Sequence, residues 1–265
     1  MIAIFAAIER ETHWLERRLT KAKRTHRGPG AVTEGQFEGL DFLLVQTGIG
    51  RENAEETAEW VLSSYSPEVA ISTGFAGGIS KELKVGDLVI CPRIYAIERV
   101  GIGSDSISLE AGEVCHERLV LLTTQALKGR GVPFHIGDGL TVPRIIGNPP
   151  MKGWINGHFQ VKIADMESYW IAQRCARYGV PFLVTRAIVD TVGEGLPDFS
   201  KILRSNGSLI PSRAIPYLLA HPQHALTLGR LAFNSAKAAR SLSIFITALA
   251  ARLNSSPRAY EELTS

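Results

Sequence analysis

The sequence predicts an α/β protein, a three-layer α/β/α sandwich with a central mixed sheet and a long helix near its C-terminal end. Strand patterns alternate with helical patterns through about the first 190 residues, which is typical of a sheet covered by helices. The 265 residues are 45% hydrophobic and 21% charged, so they can bury one large core. We therefore expect a single domain at 1–265, in which residues 198–265 form a helical extension.

The N-terminal elements follow from local patterns. Residues 2–7 are an apolar run that predicts a buried strand, and residues 9–19 have helical character with acids in the first turn, including Glu11. Residues 21–30 are polar and basic and end in Gly-Pro-Gly, which favours a loop. A hairpin that turns near Glu38-Gly39 follows.

The middle of the chain continues the alternation up to residue 190. The predicted elements are a strand, glycine turn and helix at 42–62, a strand with a glycine-rich end at 69–79, two strands within 85–100, a helix at 116–128, a strand interrupted by glycines at 134–142, a strand at 160–166, a helix at 167–177 and a β-branched strand at 180–190.

A different composition begins after Gly195 and leads into a helix from His224 to about Leu253. Its apolar side chains recur at helical spacing, with basic residues on other faces. Because such a stripe has to be buried against something, a packing element or a homodimer contact is favoured over peripheral membrane contact. The longest apolar run, 244–251, is too short for a bilayer span of roughly 20 residues. We expect a soluble protein.

The net charge and the spacing of the cysteines limit the classes of partner and ligand that the sequence suggests. Lys+Arg 29 against Asp+Glu 26 gives a net charge of +3 with dispersed basic residues, so nothing demands nucleic acid. Cys91, Cys115 and Cys175 are far apart and lack zinc-ligand spacing, which favours a reducing cytoplasm and no metal. The glycine turn that starts at Gly48 lacks the third glycine of a dinucleotide fingerprint, so we expect no cofactor.

Three acids stand at strand or helix ends that a parallel sheet would bring to one rim, namely Glu11, Glu167 and Asp190. Cleavage of a nucleoside N-glycosidic bond requires an activated nucleophile, a held sugar and a protonated leaving base. Glu11 can deprotonate water, Glu167 can accept hydrogen bonds from ribose hydroxyls, and Asp190 can donate a proton to a purine nitrogen.

Each of these residues also has an ordinary structural interpretation. Glu11 and Glu167 can be acids that only stabilise a helix N-terminus, and Asp190 can be a turn residue. Met166 can be core filler. Arg186 lies inside an apolar strand, where an unpaired charge is costly, so either a structural ion pair or an anionic ligand is expected beside it.

Seven motifs give the chain a family resemblance. They are AAIERE at 6–11, TGIGRENA at 47–54, STGFAGGI at 72–79, VGDLVI at 85–90, IGDGLTV at 136–142, ADMES at 164–168 and VTRAIVD at 184–190. In this order they resemble the nucleoside phosphorylase and nucleosidase superfamily, in particular its methylthioadenosine/S-adenosylhomocysteine nucleosidase branch. The resemblance implies a phosphorylase/hydrolase-like fold and a nucleoside substrate.

The resemblance also implies roles for individual residues. Glu11 would activate water, Glu167 would hold the ribose diol, and Asp190 would protonate the purine. Further contacts are implied for Met166 under the sugar, Leu140 and the Thr141 backbone at the base, Arg186 beside the nucleophile, and Phe75, Ala76 and Gly77 where the main chain approaches the ligand.

This sequence departs from the usual family pattern at two positions, which affects the expected substrate and nucleophile. The family commonly has a small polar residue at the position of Phe75 and a Ser at that of Val189. A carboxylate at Glu11, near where the related hexameric phosphorylases have a phosphate loop, would repel phosphate and favours hydrolysis.

A looser likeness, at 141–155 and from Leu196 onward, to a hopanoid-associated subgroup implies an apolar 5′ substituent, as in adenosylhopane. A phosphorylase and a non-catalytic nucleoside-binding or lipid-surface protein remain alternatives.

Overall fold

The computed structural model describes residues 1–28, 30–100, 107–197, 199, 202, 204, 206–255 and 263. Its strands are β1 (Ile2–Ala6), β2 (Thr20–Arg27), β3 (Gly30–Phe37), β4 (Leu40–Gln46), β5 (Val69–Gly78), β6 (Leu88–Cys91), β7 (Arg93–Val100), β8 (Ile107–Leu109), β9 (Glu113–Val114), β10 (Phe134–Ile136), β11 (Gly139–Thr141), β12 (Ile163–Asp165) and β13 (Phe182–Asp190). Its helices are α1 (Glu9–Glu16), α2 (Arg51–Tyr65), α3 (Glu117–Leu127), α4 (Pro149–Phe159), α5 (Ser168–Arg177), α6 (Pro211–Ala220) and α7 (Pro222–Ser255).

The sheet divides at β5. In the described part of the chain, thirteen strands form one mixed sheet. β1 and β13 pair with β5 in parallel, and β12 pairs with it antiparallel at Gly77 and Gly78. From β1 the sheet continues through β4 and β3 to β2, and from β12 it continues through β11 and β7 to β8. β13 leads to β6 and β10. The glycine-rich end of β5 therefore lies between β13 and β12, beyond the last residue that pairs with β1, Ser72.

Two apolar cores lie on opposite faces of this sheet. Side chains of a strand alternate between faces, so Ala3 and Phe5 of β1 join one core while Ile2 and Ile4 join the other. The first core includes α2 and α5, and the second includes α1, α3 and α7. Helices thus cover both faces, which confirms the three-layer α/β/α prediction and the central mixed sheet.

Most predicted elements are present, including the hairpin. Phe37 pairs with Leu40 across a two-residue turn in which Glu38 and Gly39 have φ of 50° and 80°, as a tight hairpin turn requires. The expected loop at 21–30 is wrong, since residues 20–27 form strand β2 along β3. Nearly all of its side chains are exposed, so its hydrogen bonds to β3 define it and no apolar alternation reveals it.

The helices differ from expectation in three places. α1 ends at Glu16, three residues earlier than its pattern suggests. No helix was expected at 149–159, yet α4 begins there with Asn148 as its N-cap and two prolines at its start, which is a recognisable helix-start signal. α6 lies within the helical extension expected at 198–265, although no separate helix was predicted at 211–220.

The long C-terminal helix is present and slightly longer than expected. α7 buries the side of its second half that includes Leu242, Phe245 and Leu249 against the sheet and α3. Much of its first half is exposed. No helix in the described residues is long and apolar enough to cross a membrane. All three cysteines are buried and unpaired.

Candidate active site

Glu11 is held against β5 by the backbone. Its Oε2 accepts the N–H groups of Ala7 at 2.7 Å and Ile8 at 3.0 Å, and its Oε1 accepts that of Phe75 at 2.7 Å. This close approach requires Gly74, because a Cβ there would lie 2.5 Å from Oε1. Glu11 therefore lies in the first turn of α1, where an acid can stabilise the helix N-terminus. Its carboxylate also contacts the adjacent strand β5.

Asp190 meets the same strand two residues further along. It is the last residue of β13 and pairs with Gly77, after a register shift at Ile188. A Cβ on Gly77 would lie 3.3 and 3.4 Å from the two carboxylate oxygens of Asp190. Because residues in a strand advance by about 3.3 Å, Glu11 and Asp190 contact points on β5 roughly 7 Å apart.

Glu167 joins two turns that are distant in sequence. It is the N-cap residue of α5, and its Oε1 accepts the backbone N–H of Gly50 at 2.8 Å. Gly50 in turn is the N-cap residue of α2 and has φ of 92°, a conformation that favours glycine. The predicted glycine turn after β4 therefore contributes by positioning Glu167.

Arg186 is the buried cation of the site. Its Nε donates to Asp165 Oδ2 at 2.7 Å, and its Nη2 donates to Ser72 Oγ at 2.9 Å. Asp165 is therefore the ion-pair partner that was expected for Arg186 inside an apolar strand. No role was predicted for Asp165 from the sequence. The charge of Arg186 also acts on Glu11 and Glu167, so one cation serves three carboxylates.

Burial dominates the protonation of the acids. Glu11, Glu167, Asp190 and Arg186 are all at most 8% exposed. Burial raises the pKa of Glu11, against its backbone hydrogen bonds and the charge of Arg186. Burial and the negative charge of Asp165 raise the pKa of Glu167 to about 8, with a further contribution from Glu11.

Sequence analysis missed Lys152. This side chain is 1% exposed and forms an ion pair with Asp190. Its Nζ also donates to the carbonyl oxygens of Thr191 at 2.9 Å and Glu194 at 3.1 Å. Burial raises the pKa of Asp190, and the charge and hydrogen bond of Lys152 oppose that rise. One feature of the sequence could have indicated that Lys152 is buried. It precedes Ile155 by three residues, so both side chains lie on one face of helix α4.

The remaining predicted residues lie around this framework. Phe75, Ala76 and Gly77 form the stretch of β5 between the contacts of Glu11 and Asp190, and Phe75 is half-buried. Leu140 is fully buried in an apolar cluster that Met166 joins from its edge.

The Thr141 side chain has structural partners. Its hydroxyl donates to Asp165 at 2.7 Å and accepts the backbone N–H of Tyr169 at 3.0 Å. These bonds connect β11 to the start of α5. Its backbone, predicted to contact the base, belongs to strand β11, which pairs with β7 and β12.

The C-terminal extension touches the site at two points. Asn234 of α7 donates to the carbonyl oxygen of Val189 at 2.8 Å, directly before Asp190. Gly207 contacts Ile8, whose N–H binds Glu11, so closely that a Cβ would lie 2.8 Å from its side chain. Lys152 of α4 therefore contacts Asp190 directly, and Asn234 of α7 contacts the residue before it.

One group in the described residues has ligand atoms close enough to share a metal ion, namely Glu9, His13 and Glu16. It lies on the outer side of α1, and Glu9 and His13 are exposed. Such exposed groups are common without a metal, and this one is not part of the buried acid cluster.

Comparisons with known proteins give the chain a family. Residues 1–208 match the model of the family described as the phosphorylase superfamily. The 5′-methylthioadenosine/S-adenosylhomocysteine nucleosidase of Lysinibacillus sphaericus is 30% identical over 200 residues, which cover 73% of this chain and 87% of the relative.

Solved structures of nucleosidases with the same name are similar as well. The Colwellia psychrerythraea protein, in complex with adenine, has a TM-score of 0.74 at 22% identity and covers 95% of both chains. The Neisseria meningitidis protein, in complex with methylthio-immucillin-A, has a TM-score of 0.67 at 25% identity, covering 91% of this chain and 97% of its own.

Proposed function

The chain belongs to the phosphorylase superfamily, and on that premise we propose that it is a nucleosidase that hydrolyses the N-glycosidic bond of an adenine nucleoside and releases adenine. The relatives that it matches over most of their length are nucleosidases of this kind. The observation that carries the proposal is the meeting of Glu11 and Asp190 on residues 74–77 of β5, with Glu167 electrostatically coupled to Glu11.

Glu11 is the general base in this proposal. Its carboxylate is fixed by three backbone N–H groups, yet a carboxylate can accept about four hydrogen bonds, so one position remains for a water molecule. Burial raises its pKa and so increases its basicity, as removal of a proton from water requires.

Glu167 holds the sugar. With a pKa raised to about 8, it carries a proton at neutral pH. Bond cleavage places positive charge on the ribose, which strengthens the hydrogen bonds that the ribose hydroxyls donate to Glu167. These hydrogen bonds therefore stabilise the transition state more than the ground state, which is the condition for catalysis.

Asp190 donates a proton to the leaving purine in this proposal. It is buried at the end of β13, where the absence of a side chain on Gly77 lets its carboxylate lie close to β5. Arg186, anchored on Asp165, compensates part of the negative charge of Glu11 and so helps to orient the water molecule.

Water is favoured over phosphate as the nucleophile. Glu11 would repel a phosphate dianion, and Arg186 is already engaged by Asp165. Adenine release from adenosine, methylthioadenosine and S-adenosylhomocysteine, measured with and without phosphate, tests this point. We expect the same rate in both conditions, and as product the unphosphorylated ribose that still carries the 5′ substituent of its substrate. Strict phosphate dependence with a ribose-1-phosphate product would replace the hydrolase by a phosphorylase.

We further propose an apolar 5′ substituent on the nucleoside. Support comes from apolar side chains near the sugar-side acids: Phe75 on β5, Ile8 beside Glu11, and Met166 beside Glu167. A lipid-like 5′ group, as in adenosylhopane, would suit such a lining. A series of 5′-alkylthioadenosines of rising chain length should show kcat/KM rising with length. A preference for the charged S-adenosylhomocysteine would contradict this proposal.

Peripheral contact with a membrane is proposed for the C-terminal extension. Residues 199–265 have 8 Lys and Arg against 2 Asp and Glu, a net charge of +6, whereas residues 1–198 have 21 against 24, a net charge of −3. Large apolar side chains on α6 and α7 are also exposed, with Leu219 at 79%, Leu226 at 77% and Phe233 at 75%. Exposed apolar side chains in a basic segment favour an anionic lipid surface.

Vesicle sedimentation tests this surface. The protein should bind phosphatidylglycerol-containing vesicles and not pure phosphatidylcholine, with binding weakened by salt. The double variant Leu226→Ser, Phe233→Ser should lose binding, whereas Leu121→Ser, which alters an exposed apolar residue of α3, should not. If the double variant instead changes only the molecular mass in solution, the surface is a contact between two copies.

A homodimer and a cytoplasmic location complete the proposal. The exposed apolar residues give a second copy an alternative surface, and the three unpaired cysteines suit a reducing compartment. Light scattering at several concentrations tests the dimer. Cell fractionation tests the location, and recovery in an extracytoplasmic fraction would contradict it.

A further inference from the structure

Lys152 is a buried cation for which the reaction above has no use. A lysine that is almost completely buried is rare unless it is paired. Here the Nζ has three acceptors, namely Asp190 Oδ2 and the carbonyl oxygens of Thr191 and Glu194. An ammonium group has three N–H donors and no acceptor, so this environment matches the charged form of the side chain.

The ion pair between Lys152 and Asp190 conflicts with a role of Asp190 as an independent proton donor. Within the described residues, the only hydrogen bond donor to its carboxylate is Lys152. A carboxylate that faces an ammonium group is ionised, and an ionised carboxylate has no proton to donate. The general acid of the reaction therefore needs a source for its proton, and the adjacent Lys152 carries one.

We propose that Lys152 is a positioning residue that supplies, through Asp190, the proton that the leaving base receives. As the C–N bond breaks, its electron pair moves onto the purine. A proton passes from Lys152 Nζ to Asp190 and from Asp190 to a purine nitrogen, which leaves a neutral amine and a carboxylate. Water gives its proton to Glu11 as its oxygen bonds to the sugar carbon, and exchange with solvent returns a proton from Glu11 to Lys152. The inference rests on the proposed function.

The surroundings keep this pair in place. The loop after Asp190 provides two of the three acceptors of Lys152, and that loop is closed by the side chain of Glu194, which accepts the N–H of Thr191 at 2.8 Å. Both members of the pair are thus positioned by the same turn.

Among the residues that the structure describes, few other charges face Asp190. Glu194 is the other charged group that acts on it, and Glu194 lies 3.9 Å from Arg230 of α7. β5 presents glycine at this point, and α7 presents the neutral Asn234. Lys152 is therefore the main charged group that controls the proton on Asp190.

Two variants separate proton supply from simple orientation. Lys152→Met removes the charge with similar volume, and Lys152→Arg keeps the charge but cannot release a proton in this pH range. The pH profiles of kcat and KM are measured for adenine release. Lys162→Met is the matched control, because Lys162 also pairs with a carboxylate, that of Glu82, outside the site.

We expect Lys152→Met to lose about 10²-fold or more in kcat at pH 8, with KM nearly unchanged. Its rate should recover as pH falls, since Asp190 then takes its proton from solvent, so the alkaline limb moves to lower pH by at least about one unit. Lys152→Arg should be similarly slow at pH 8, and its residual rate should rise at lower pH. Lys162→Met should keep the wild-type profile.

Some outcomes would contradict the role of Lys152 alone, and one would contradict the proposed function as well. A wild-type kcat in Lys152→Arg, or an unmoved alkaline limb in Lys152→Met, shows that Lys152 only holds the structure. If Lys152→Met does not fold, the Lys152→Arg profile decides alone, because that variant keeps the buried charge paired. No adenine release by the wild-type protein from any adenine nucleoside overturns the proposed function, and the inference with it.

Discussion

Glu167 Oε1 accepts the backbone N–H of Gly50 at 2.8 Å, although 117 residues separate the two in sequence. This bond joins the turn before α2 to the start of α5 and determines where the carboxylate of Glu167 points. The left-handed conformation of Gly50, with φ of 92°, makes the geometry possible.

Substitution of Gly50 should therefore disturb sugar binding. In Gly50→Ala the positive φ costs about 1 to 2 kcal/mol, and the turn relaxes away from Glu167. We expect KM to rise about tenfold, with a lower melting temperature. Gly229→Ala is the control, because Gly229 is an exposed helical glycine with open space around it, and there the melting temperature should stay or rise slightly. An unchanged KM in Gly50→Ala would show that the bond has no role in the sugar site.

Loss of the carboxylate at Glu11 should stop chemistry and spare binding. Glu11→Gln keeps the size of the side chain and lacks the base, so kcat should fall about 10²- to 10⁴-fold. Adenine affinity, measured by calorimetry, should stay within a few-fold of wild type. The conservative control is Glu9→Gln, two residues away on the exposed side of α1. Equal turnover in Glu11→Gln would favour a different base, and absent turnover in wild type would favour a non-catalytic binding protein.

Arg186 should matter for stability as well as for activity. Arg186→Met leaves Asp165 buried without its cation, which costs about 3 to 5 kcal/mol of unfolding free energy. Urea denaturation measures this loss. Arg177→Met removes a partner of an exposed ion pair with Glu59, and its effect should be within about 1 kcal/mol. A loss of similar size in both variants would mean that the Arg186–Asp165 pair contributes no more than a surface pair.

The raised pKa of Glu167 makes a prediction about pH and stability. The folded protein binds a proton on Glu167 up to a pKa of about 8, whereas the unfolded chain releases it near the ordinary glutamate pKa of 4.5. Folding therefore takes up a proton between these values, and stability falls as pH rises through this window, by a few kcal/mol in total. Unfolding free energies at pH 6 and pH 9 measure the slope.

Glu167→Gln should flatten that slope, because the amide does not titrate. Glu117→Gln, at an exposed position in the first turn of α3, serves as the control and should keep the wild-type slope. A slope that is equally steep in Glu167→Gln would assign it to another buried acid, such as Glu11, whose pKa is also raised by burial.

Much of the fold could be predicted because it depends on local patterns. The apolar runs of β1 and β13 and the helical stripe of α7 identify those elements in the sequence, since burial imposes the period of each element on its side chains. β2 could not be found in this way, because an exposed strand is defined by its hydrogen bonds to β3 and has no apolar face.

By itself, the sequence determined the sandwich and the long helix and led us to propose the three acids, because strand ends and glycine-rich turns are local features. Only the tertiary structure decided which groups face those acids. Asp165 pairs with Arg186, Gly50 binds Glu167, and Lys152 reaches Asp190 from a helix 38 residues earlier. These contacts join residues far apart in the chain, and the charge of a buried acid depends on such neighbours and on the loss of solvent, neither of which has a pattern along the sequence.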